Sequence, residues 1–266
     1  MTLSVVIPVY NEEGNIIPLF ERLSAVVSTL EFDSVEFIFV NDGSVDSTLD
    51  TIKKLHSSKV SVAYIDLSRN FGHQIAVTAG LDRSVGELIV IIDADLQDPP
   101  ELIAEMVAKA QTGFDVVYAR RRKRKGESFL KKATAKYFYR LLASITSVDI
   151  PIDTGDFRIV SRRVVEALKQ MPEREKFLRG QIAWIGFNQT YVEYDRDERV
   201  AGDTGYTWRK MIRFALDGIT SFSNFPLKMA TISGFVMSFV SFLLMLYALY
   251  SRFILKVYEP GWTSLM

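Results

Sequence analysis

The sequence has no cysteine among its 266 residues and only two histidines, His56 and His73. The absence of cysteine excludes a disulfide framework, a thiolate metal site and a cysteine nucleophile. With two histidines, a histidine-rich metal site is not expected either. Any metal that this chain binds should therefore be a hard cation held by oxygen ligands.

The sequence also lacks an excess of charge of either sign, since it has 32 basic and 32 acidic side chains. A zero net charge argues against a general nucleic-acid-binding protein, although it leaves room for a local basic patch. The first residues lack the basic start of a signal peptide, and Pro8 interrupts their apolar run. We interpret them as a strand, so the N-terminal domain is expected to stay in the cytoplasm.

The first half of the sequence alternates short β-branched runs with helical segments. This rhythm predicts βαβ units and a Rossmann-like α/β domain with a mostly parallel sheet, covered by helices on both faces. Polar residues gather where the strands end, which is where ligands bind in such folds. The predicted strands cover residues 3–7, 35–40, 60–67, 88–92 and 116–118. The segment 153–158, which carries two carboxylates, is predicted to be a loop.

A long uncharged run lies near the end of the chain, over residues 229–250. At about 1.5 Å per residue a helix of this length spans about 33 Å, which matches a hydrocarbon core of about 30 Å. The run predicts one transmembrane helix, with a buried core helix as the alternative. Basic residues are more numerous before the run than after it, so the positive-inside rule keeps the main domain in the cytoplasm.

The segment Asp93-Ala94-Asp95 is the sharpest chemical feature of the sequence. Two carboxylates that follow a buried strand can share one Mg²⁺ or Mn²⁺ ion with phosphate oxygens, and Gln97 could supply a third oxygen. Such an ion would neutralise a departing diphosphate. A solvated acidic turn is the alternative, because this short pattern often occurs by chance.

Two other polar segments follow predicted strands at the same edge of the sheet. Tyr10 could stack on a base, and Glu12 and Asp42 could accept hydrogen bonds from a base or a ribose. For each acid the alternative is a helix cap. His73 is expected to pack or cap near the start of a helix.

Basic residues are concentrated in the middle of the chain, in the run 120–125 and at Lys131 and Lys132. Guanidinium groups suit bidentate contacts with phosphate, so this region could receive a phosphate; a solvated or headgroup-binding patch is the alternative. Residues 206–222 mix aromatic with basic side chains and predict an amphipathic helix at the membrane interface. Packing of that helix against a neighbouring subunit is the other possibility.

Taken together, these segments resemble the family 2 glycosyltransferases with the GT-A fold. The matching motifs, in order, are VVIPVYNE at 5–12, VNDGSVDST at 40–48 and DADLQDPP at 93–100. Within that family the chain is similar to the polyprenyl-phosphate glycosyltransferases, the group that includes dolichol-phosphate-mannose synthases and bactoprenol glucosyltransferases. The motifs behind this narrower resemblance are RNFGHQ at 69–74, GDFR at 155–158 and DERVAG at 197–202.

The resemblance, which covers essentially the whole chain, implies roles for particular residues. The nucleotide sugar would lie among Pro8, Tyr10, Glu12, Asp42, Gln74, Asp93, Ala94 and Asp95. Mg²⁺ or Mn²⁺ would be held by Asp93, Asp95 and Gln97. The acceptor phosphate would meet Arg121, Arg124, Lys131 and Lys132. The catalytic group would be Asp95, Asp156, Arg121 and Arg199.

The same resemblance predicts how the chain is divided. A cytoplasmic catalytic GT-A domain would cover residues 1–205, amphipathic juxtamembrane helices 206–226, and the transmembrane helix 227–256. Residues 257–266 would be a loop that leads to a missing second transmembrane helix, because members of this group usually carry two. With one or two spans per chain, self-association into a homo-oligomer is expected.

The expected reaction is the inverting transfer of a hexose to polyprenyl (undecaprenyl) phosphate at the cytoplasmic face of the plasma membrane. UDP-glucose is favoured as donor, and GDP-mannose or a UDP-aminopentose stays open. Because a phosphate monoester is largely ionised at pH 7, we expect that Asp156 is not an obligatory base. A processive polysaccharide synthase and a non-catalytic nucleotide-sugar-binding scaffold are alternatives, whereas a dehydrogenase is disfavoured because no G-x-G-x-x-G motif follows the first strand.

Overall fold

The computed structural model describes residues 1–122, 154–173, 176–194 and 225–255. The chain divides into two compact units, Met1–Thr207 and Trp208–Met266. The first contains an α/β domain and the second contains an apolar helix. Some residues with predicted roles lie outside the described ranges: Arg124, Lys131, Lys132, Arg199 and the segments 206–224 and 256–266.

Seven strands form one sheet in the described part of the first unit. They are β1 (Thr2–Val9), β2 (Ser34–Asn41), β3 (Ser61–Asp66), β4 (Leu88–Ile91), β5 (Val116–Arg121), β6 (Thr154–Ser161) and β7 (Gln189–Tyr194). Their order across the sheet is β3-β2-β1-β4-β6-β5-β7. All neighbours pair in parallel except β6, which runs antiparallel to both β4 and β5. The mostly parallel α/β sheet predicted from the sequence is therefore confirmed.

Helices cover both faces of this sheet. They are α1 (Ile16–Val27), α2 (Thr48–Lys53), α3 (His73–Arg83), α4 (Leu102–Gln111), α5 (Arg162–Lys169) and α6 (Leu178–Ile185). The buried side chains of α1, α2 and α4 join one apolar cluster, and those of α3, α5 and α6 join a second. The two clusters are the two halves of the core, one on each side of the sheet.

The central strand β1 shows why the sheet needs a helical layer on each face. Val5 and Ile7 belong to one core cluster and Val6 to the other, because successive side chains of a strand point to opposite faces. Helix α3 approaches β1 so closely that a Cβ added at Gly80 would lie 2.3 Å from Val6 Cγ1. This contact fixes α3, and with it His73 at its first turn, relative to the sheet.

The segment 153–158 was predicted to be a loop, and the structure corrects this prediction over the residues that it describes. Residues Thr154–Ser161 form strand β6, with Phe157 and Ile159 buried on one face and Val160 on the other. The charged side chains of Asp156 and Arg158 hid this alternation in the sequence. They are tolerated because they pair with each other and with further charged groups. Strand β7 was not predicted either.

The described part of the second unit is a single apolar helix, α7 (Phe225–Tyr250), followed by a π-helical turn over Ser251–Leu255. The segment Leu227–Leu255 has a mean hydropathy of 2.1 over its most apolar window and is long enough to cross a membrane. None of that window is buried, so the structure gives no support to the alternative of a core helix.

Candidate active site

The candidate site lies at the edge of the sheet where the parallel strands end. Residue Ile91 of β4 pairs with Arg158 of the antiparallel strand β6. Because the two strands run in opposite directions, Asp93, two residues after Ile91, faces Asp156, two residues before Arg158. The reversed direction of β6 therefore brings its first residues to the same edge as the Asp93-Ala94-Asp95 segment, as expected for ligand sites in such sheets.

His73, at the first turn of α3, bridges these two carboxylates. Its Nε2 lies 3.5 Å from Asp93 Oδ1 and 3.3 Å from Asp156 Oδ2. Burial lowers the pKa of His73, but the charge of Asp93 and the hydrogen bond with Asp156 outweigh burial and raise this pKa to about 9. This pKa favours the protonated imidazole at neutral pH. His73 lies at the start of α3, as expected from the sequence, and its approach to two carboxylates was not expected.

Asp93 and Asp156 have opposite protonation tendencies although they are neighbours. Burial raises the pKa of Asp93 to about 6, against the opposing charge of His73. Burial also works to raise the pKa of Asp156, but hydrogen bonds from His73 and Arg179 prevail and hold it well below its usual range. The lowered pKa favours the ionised carboxylate of Asp156 and makes it a weak proton acceptor at neutral pH.

Two arginines hold Asp156 in place. Arg179 donates from Nε to Asp156 Oδ1 at 2.9 Å and from Nη2 to Oδ2 at 2.8 Å. Arg158 is buried and donates from Nη2 to Asp156 Oδ1 at 2.9 Å. From the sequence, Arg158 was noted only as part of the GDFR motif at 155–158, with no role of its own, and Arg179 was not identified. No spacing rule could have found Arg179, because α6 meets β6 only through the tertiary fold.

The residues after Asp93 form a tight turn. Ala94 is buried in the core, and Leu96 has a left-handed backbone with φ of 56°. The backbone N–H of Gln97 donates to Asp95 Oδ1 at 3.1 Å, which orients that carboxylate. Gln97 itself is buried. Ile92, which lies between the end of β4 and this turn, is fully buried.

The donor atoms at this edge suit a divalent cation. Among the described residues, the buried Asp93 Oδ1 accepts no hydrogen bond, so it has a lone pair for another partner. One ligand atom from each of His73, Asp93 and Asp156 can be found within 4.8 Å of the others. Of the predicted metal ligands, this cluster contains Asp93, and the roles of Asp95 and Gln97 as ligands stay predictions.

Hydrogen bonds join the loops that follow β1 and β2, at the same edge of the sheet as Asp93. Asn11 donates from its backbone N–H to Ser44 Oγ at 3.0 Å and accepts from the Val45 N–H at 2.9 Å. Tyr10, which is 44% exposed, presents an accessible ring at this edge. Glu12 accepts from Asn15 Nδ2 at 2.6 Å. Pro8 is buried within β1.

Asp42 binds the backbone of the loop that precedes α3. Its Oδ1 accepts from the Phe71 N–H at 2.7 Å and its Oδ2 from the Gly72 N–H at 2.9 Å, directly before α3. Gly43 has φ of +70°, and a Cβ there would lie 2.4 Å from the carbonyl carbon of Arg69. Asp42 therefore sets the position from which α3, and thus His73, begins.

Gln74 and Arg121 are both held by described neighbours. Gln74 Oε1 accepts from the Leu178 N–H at 3.1 Å, so it joins the start of α3 to the start of α6. Arg121 Nε donates to the Tyr194 hydroxyl at 3.2 Å, and its Nη2 lies 3.5 Å from Asp98. A Cβ at Gly155 would lie 3.0 Å from Arg121 Nη2, which places this guanidinium beside the start of β6.

The structure brings the described members of the predicted set to one edge of the sheet. Asp93, Asp95, Gln97, Arg121 and Asp156 lie at or just beyond the ends of β4, β5 and β6 that form this edge. It adds His73, Arg158 and Arg179, which link Asp93, Asp156 and α6. The predicted roles of Arg124, Lys131, Lys132 and Arg199 fall on residues outside the described ranges and stay predictions.

Similarity to solved structures agrees with this architecture. Glucosyl-3-phosphoglycerate synthase from Mycobacterium tuberculosis, crystallised with Mn²⁺, UDP and glucosyl-3-phosphoglycerate, superposes with a TM-score of 0.56. The match covers 82% of this chain and 77% of that one at 18% identity. At this identity the likeness shows the GT-A fold alone.

Sequence relatives cover nearly all of the chain. An uncharacterized glycosyltransferase of Bacillus subtilis is 51% identical over 99% of this chain and 81% of its own length. The bactoprenol glucosyl transferase of Shigella phage SfX is 43% identical, and a prophage bactoprenol glucosyl transferase homolog of Escherichia coli is 44% identical. Each of these two matches covers 91% of this chain and 79% of the relative.

The model of the family described as "Glycosyl transferase family 2" matches residues 4–169. That range contains most of β1, all of β2 to β6 and α1 to α5, and the carboxylates of the candidate site. The protein is a glycosyltransferase, and the chain belongs to glycosyl transferase family 2.

Proposed function

We propose that this protein transfers glucose from UDP-glucose to a polyprenyl phosphate, with inversion at the anomeric carbon. The relatives named bactoprenol glucosyl transferase support this acceptor and this sugar, at 43–44% identity over 91% of the chain. The observation that carries the proposal is the pair of carboxylate segments, Asp93–Asp95 and Asp156, at the ligand edge of a GT-A sheet. The apolar helix α7 fits an enzyme whose acceptor is a membrane lipid.

The donor would bind across the ends of β1, β2 and β4. Tyr10 would stack on the base, while Pro8, Glu12 and Asp42 would form the surrounding pocket. Asp93, Asp95 and Gln97 would hold Mg²⁺ or Mn²⁺ against the diphosphate. When bound, such an ion neutralises the charge that develops on the leaving nucleoside diphosphate. His73 lies close enough to Asp93 to be an additional ligand candidate.

The acceptor would react without a protein base. A lipid phosphate is largely ionised at pH 7, so its oxygen can attack the anomeric carbon directly. This agrees with Asp156, whose carboxylate is engaged by two arginines and has a depressed pKa. Arg121, held at the end of β5, would contribute positive charge near the reacting phosphates, together with Arg199 and the basic residues Arg124, Lys131 and Lys132.

The proposed location is the cytoplasmic face of the plasma membrane. Helix α7 would anchor the enzyme, and the segment 206–226 would lie at the membrane interface. In this proposed arrangement a soluble nucleotide sugar and a lipid phosphate would meet on the same side of the membrane. Self-association of the chain stays part of the same prediction.

The test is a product assay with the full-length protein in vesicles that contain undecaprenyl phosphate. Labelled UDP-glucose, GDP-mannose and a UDP-aminopentose are supplied in separate reactions with Mg²⁺ or Mn²⁺. We expect a glucolipid from UDP-glucose only. A different labelled glycolipid would correct the donor, a polymer would indicate a processive synthase, and donor binding without any product would indicate a scaffold.

A second prediction concerns the metal site, in which Asp95 is proposed to be a ligand of the ion. We expect Asp95→Ala to reduce turnover by at least about 100-fold, since charge stabilisation of the leaving group is lost. EDTA should abolish the activity of the unsubstituted enzyme, and added Mn²⁺ or Mg²⁺ should restore it. Asp50→Asn, on the exposed face of α2, is the matched control and should be fully active. Full activity of Asp95→Ala, or in excess EDTA, contradicts the metal assignment.

A further inference from the structure

Tyr194 is the last residue of β7, and its hydroxyl lies between two charged residues near the candidate site. The hydroxyl donates to Asp98 Oδ1 and accepts from Arg121 Nε at 3.2 Å. Arg121 also approaches the carboxylate directly, because its Nη2 lies 3.5 Å from Asp98 Oδ1. The tyrosine is 6% exposed, and the side chain of Asp98 is fully buried. The phenol thus joins a buried carboxylate and a guanidinium in one hydrogen-bonded group.

The register of the sheet places Tyr194 beside Arg121. The two residues are direct partners in the parallel pairing of β5 with β7. Tyr194 and Ala119 of β5 belong to the core cluster that contains the buried side chains of α1, α2 and α4. Because side chains alternate along a strand, Arg121, two residues after Ala119, points to that same face. The contact is therefore fixed by backbone pairing and does not depend on a flexible loop.

A third residue limits the space around the guanidinium. A Cβ added at Gly155 would lie 3.0 Å from Arg121 Nη2 and 3.6 Å from Asp98 Oδ2. Gly155 directly precedes Asp156, one of the carboxylates of the candidate site. The guanidinium of Arg121 is thus held next to the start of β6, at the edge of the sheet where ligands are expected.

The protonation states of these groups suit a positioning role for the phenol. Burial raises the pKa of Tyr194, and the charge of Asp98 and the hydrogen bond to it raise this pKa further, against the opposing effect of Arg121. Burial works to lower the pKa of Arg121, but the charge of Asp98 and the hydrogen bond with Tyr194 prevail and raise it. A neutral phenol that gives its proton to Asp98 and accepts one from a guanidinium orients that guanidinium and is not suited to proton transfer.

We propose that Tyr194 is a positioning residue of the active site, whose hydroxyl aims the guanidinium of Arg121 at a phosphate of the substrates. The proposal rests on the proposed function, in which Arg121 contributes positive charge near the reacting phosphates. A guanidinium that is held before the ligand arrives loses less freedom on binding, and its planar fork can match phosphate oxygens. The ligand is a phosphate oxygen, whether of the nucleotide diphosphate or of the lipid monophosphate.

The first experiment compares Tyr194→Phe with Arg121→Gln and separates the two phosphate sources. For the enzyme in vesicles, kcat/KM is measured for undecaprenyl phosphate and for UDP-glucose, together with the Kd of UDP in the presence of Mn²⁺. Arg121→Gln should weaken at least one of these by about 10- to 100-fold, the usual loss for hydrogen bonds from a charged group. A loss confined to kcat/KM for the lipid assigns the acceptor phosphate, and a loss that includes the Kd of UDP assigns the diphosphate.

Tyr194→Phe should weaken the same constant as Arg121→Gln, by about 5- to 10-fold. The smaller factor is expected because the charge of Arg121 remains and only its orientation is released. If Arg121→Gln leaves every constant within about twofold, Tyr194 has nothing to position and the proposal is overturned.

Tyr118 offers a matched control on the other face of the same strand pair. It is 3% exposed, belongs to the second core cluster, and donates its hydroxyl to Gln189 Oε1 at 2.9 Å. Its ring, which lies 5.5 Å from the Arg158 guanidinium, is kept in Tyr118→Phe. Each phenylalanine variant therefore removes one phenolic hydroxyl from the core, and both should lower the melting temperature slightly.

Only Tyr194→Phe should change the kinetic and binding constants, whereas Tyr118→Phe should leave all of them within about twofold. If Tyr194→Phe also stays within that range, the proposal is overturned, whatever happens to stability.

A double-mutant cycle tests whether Tyr194 acts through Arg121. Because the two residues act as a unit, the variant that combines Tyr194→Phe with Arg121→Gln should be about as weak as Arg121→Gln alone. Losses that multiply in the double variant contradict the positioning role.

The outcomes also separate this inference from the proposed function. If the unsubstituted enzyme makes glucolipid but Tyr194→Phe behaves like Tyr118→Phe, the inference fails and the function stands. If the unsubstituted enzyme makes no glycolipid from any donor, the function fails. The Kd of UDP and the binding of vesicles that contain undecaprenyl phosphate then test the inference: it stands if Tyr194→Phe and Arg121→Gln weaken the same one, and it falls if both match Tyr118→Phe.

Discussion

At the scale of single residues, the site depends on side chains and turns that hold each other. Asp42 fixes the loop before α3, that helix presents His73 and Gln74, and these reach Asp93, Asp156 and α6. A change at Asp42 should therefore also affect the positions of His73 and Gln74 and their contacts with Asp93, Asp156 and α6.

Gly43 gives a direct test of this coupling. Gly43→Ala introduces a Cβ at φ of +70° and 2.4 Å from the Arg69 carbonyl carbon, so both backbone strain and a clash follow. We expect a loss of about 1–3 kcal/mol in stability, seen as a lower melting temperature in detergent, and weaker UDP binding. Gly14→Ala is the control, because nothing lies within 4 Å of its added Cβ. Equal melting temperatures for the two variants would contradict the account of this turn.

The sequence allowed the position of a residue to be predicted where that residue directly follows a strand. Asp93, Asp95 and Asp42 come directly after apolar runs, so their common edge could be predicted from the parallel pattern. Arg179 could not, because its contact with Asp156 spans 23 positions and depends on how α6 packs. The cationic state of His73 was equally hidden, since its pKa is set by two carboxylates that only the fold brings near.

At the scale of elements, strands β1 to β5 were predicted from the sequence, whereas β6 and β7 were not. Strands β1 to β4 have the apolar runs typical of buried parallel strands, and their bounds agree with the prediction to within one or two residues. Strand β6 carries Asp156 and Arg158, whose charges obscure the two-residue period. Charged residues of a buried ion-pair network can thus make the sequence of a central strand resemble that of a loop.

The packing of α3 on β1 predicts a link between the core and catalysis. Gly80→Ala would place a Cβ 2.3 Å from Val6 Cγ1, on a β-branched side chain of a buried strand that has little room to move. We expect a destabilisation of about 1–3 kcal/mol and a lower kcat, because α3 must shift and His73 shifts with it. Thermal unfolding and the glucolipid assay measure the two effects.

Gly14→Ala again serves as the control, since its added Cβ meets no atom within 4 Å. If Gly80→Ala kept both the stability and the turnover of the unsubstituted enzyme, α3 would have freedom that the structure does not show.

At the scale of the whole molecule, the membrane assignment depends on α7. A lysine at Phe239 or Leu243 would lie near the middle of the apolar segment, where each charge costs about 2.5–3.5 kcal/mol of insertion free energy. We expect the double replacement Phe239→Lys and Leu243→Lys to shift the protein from the membrane pellet to the soluble or aggregated fraction. Leu227→Lys, beside Lys228 at the start of the segment, should leave the protein in the membrane. Membrane retention of the double variant after alkaline washing would contradict a spanning helix.

The reversed direction of β6 has a consequence for how such enzymes diversify. Strand β5 ends at Arg121 and β6 begins at Thr154, so the two strand termini on either side of this connection both lie at the ligand edge. The pairs that join β6 to β5 and to β4 are formed by residues outside the connection. A chimaera that exchanges only residues 122–153 between relatives is therefore expected to keep the paired strands of the sheet, and it would be a natural unit of engineering.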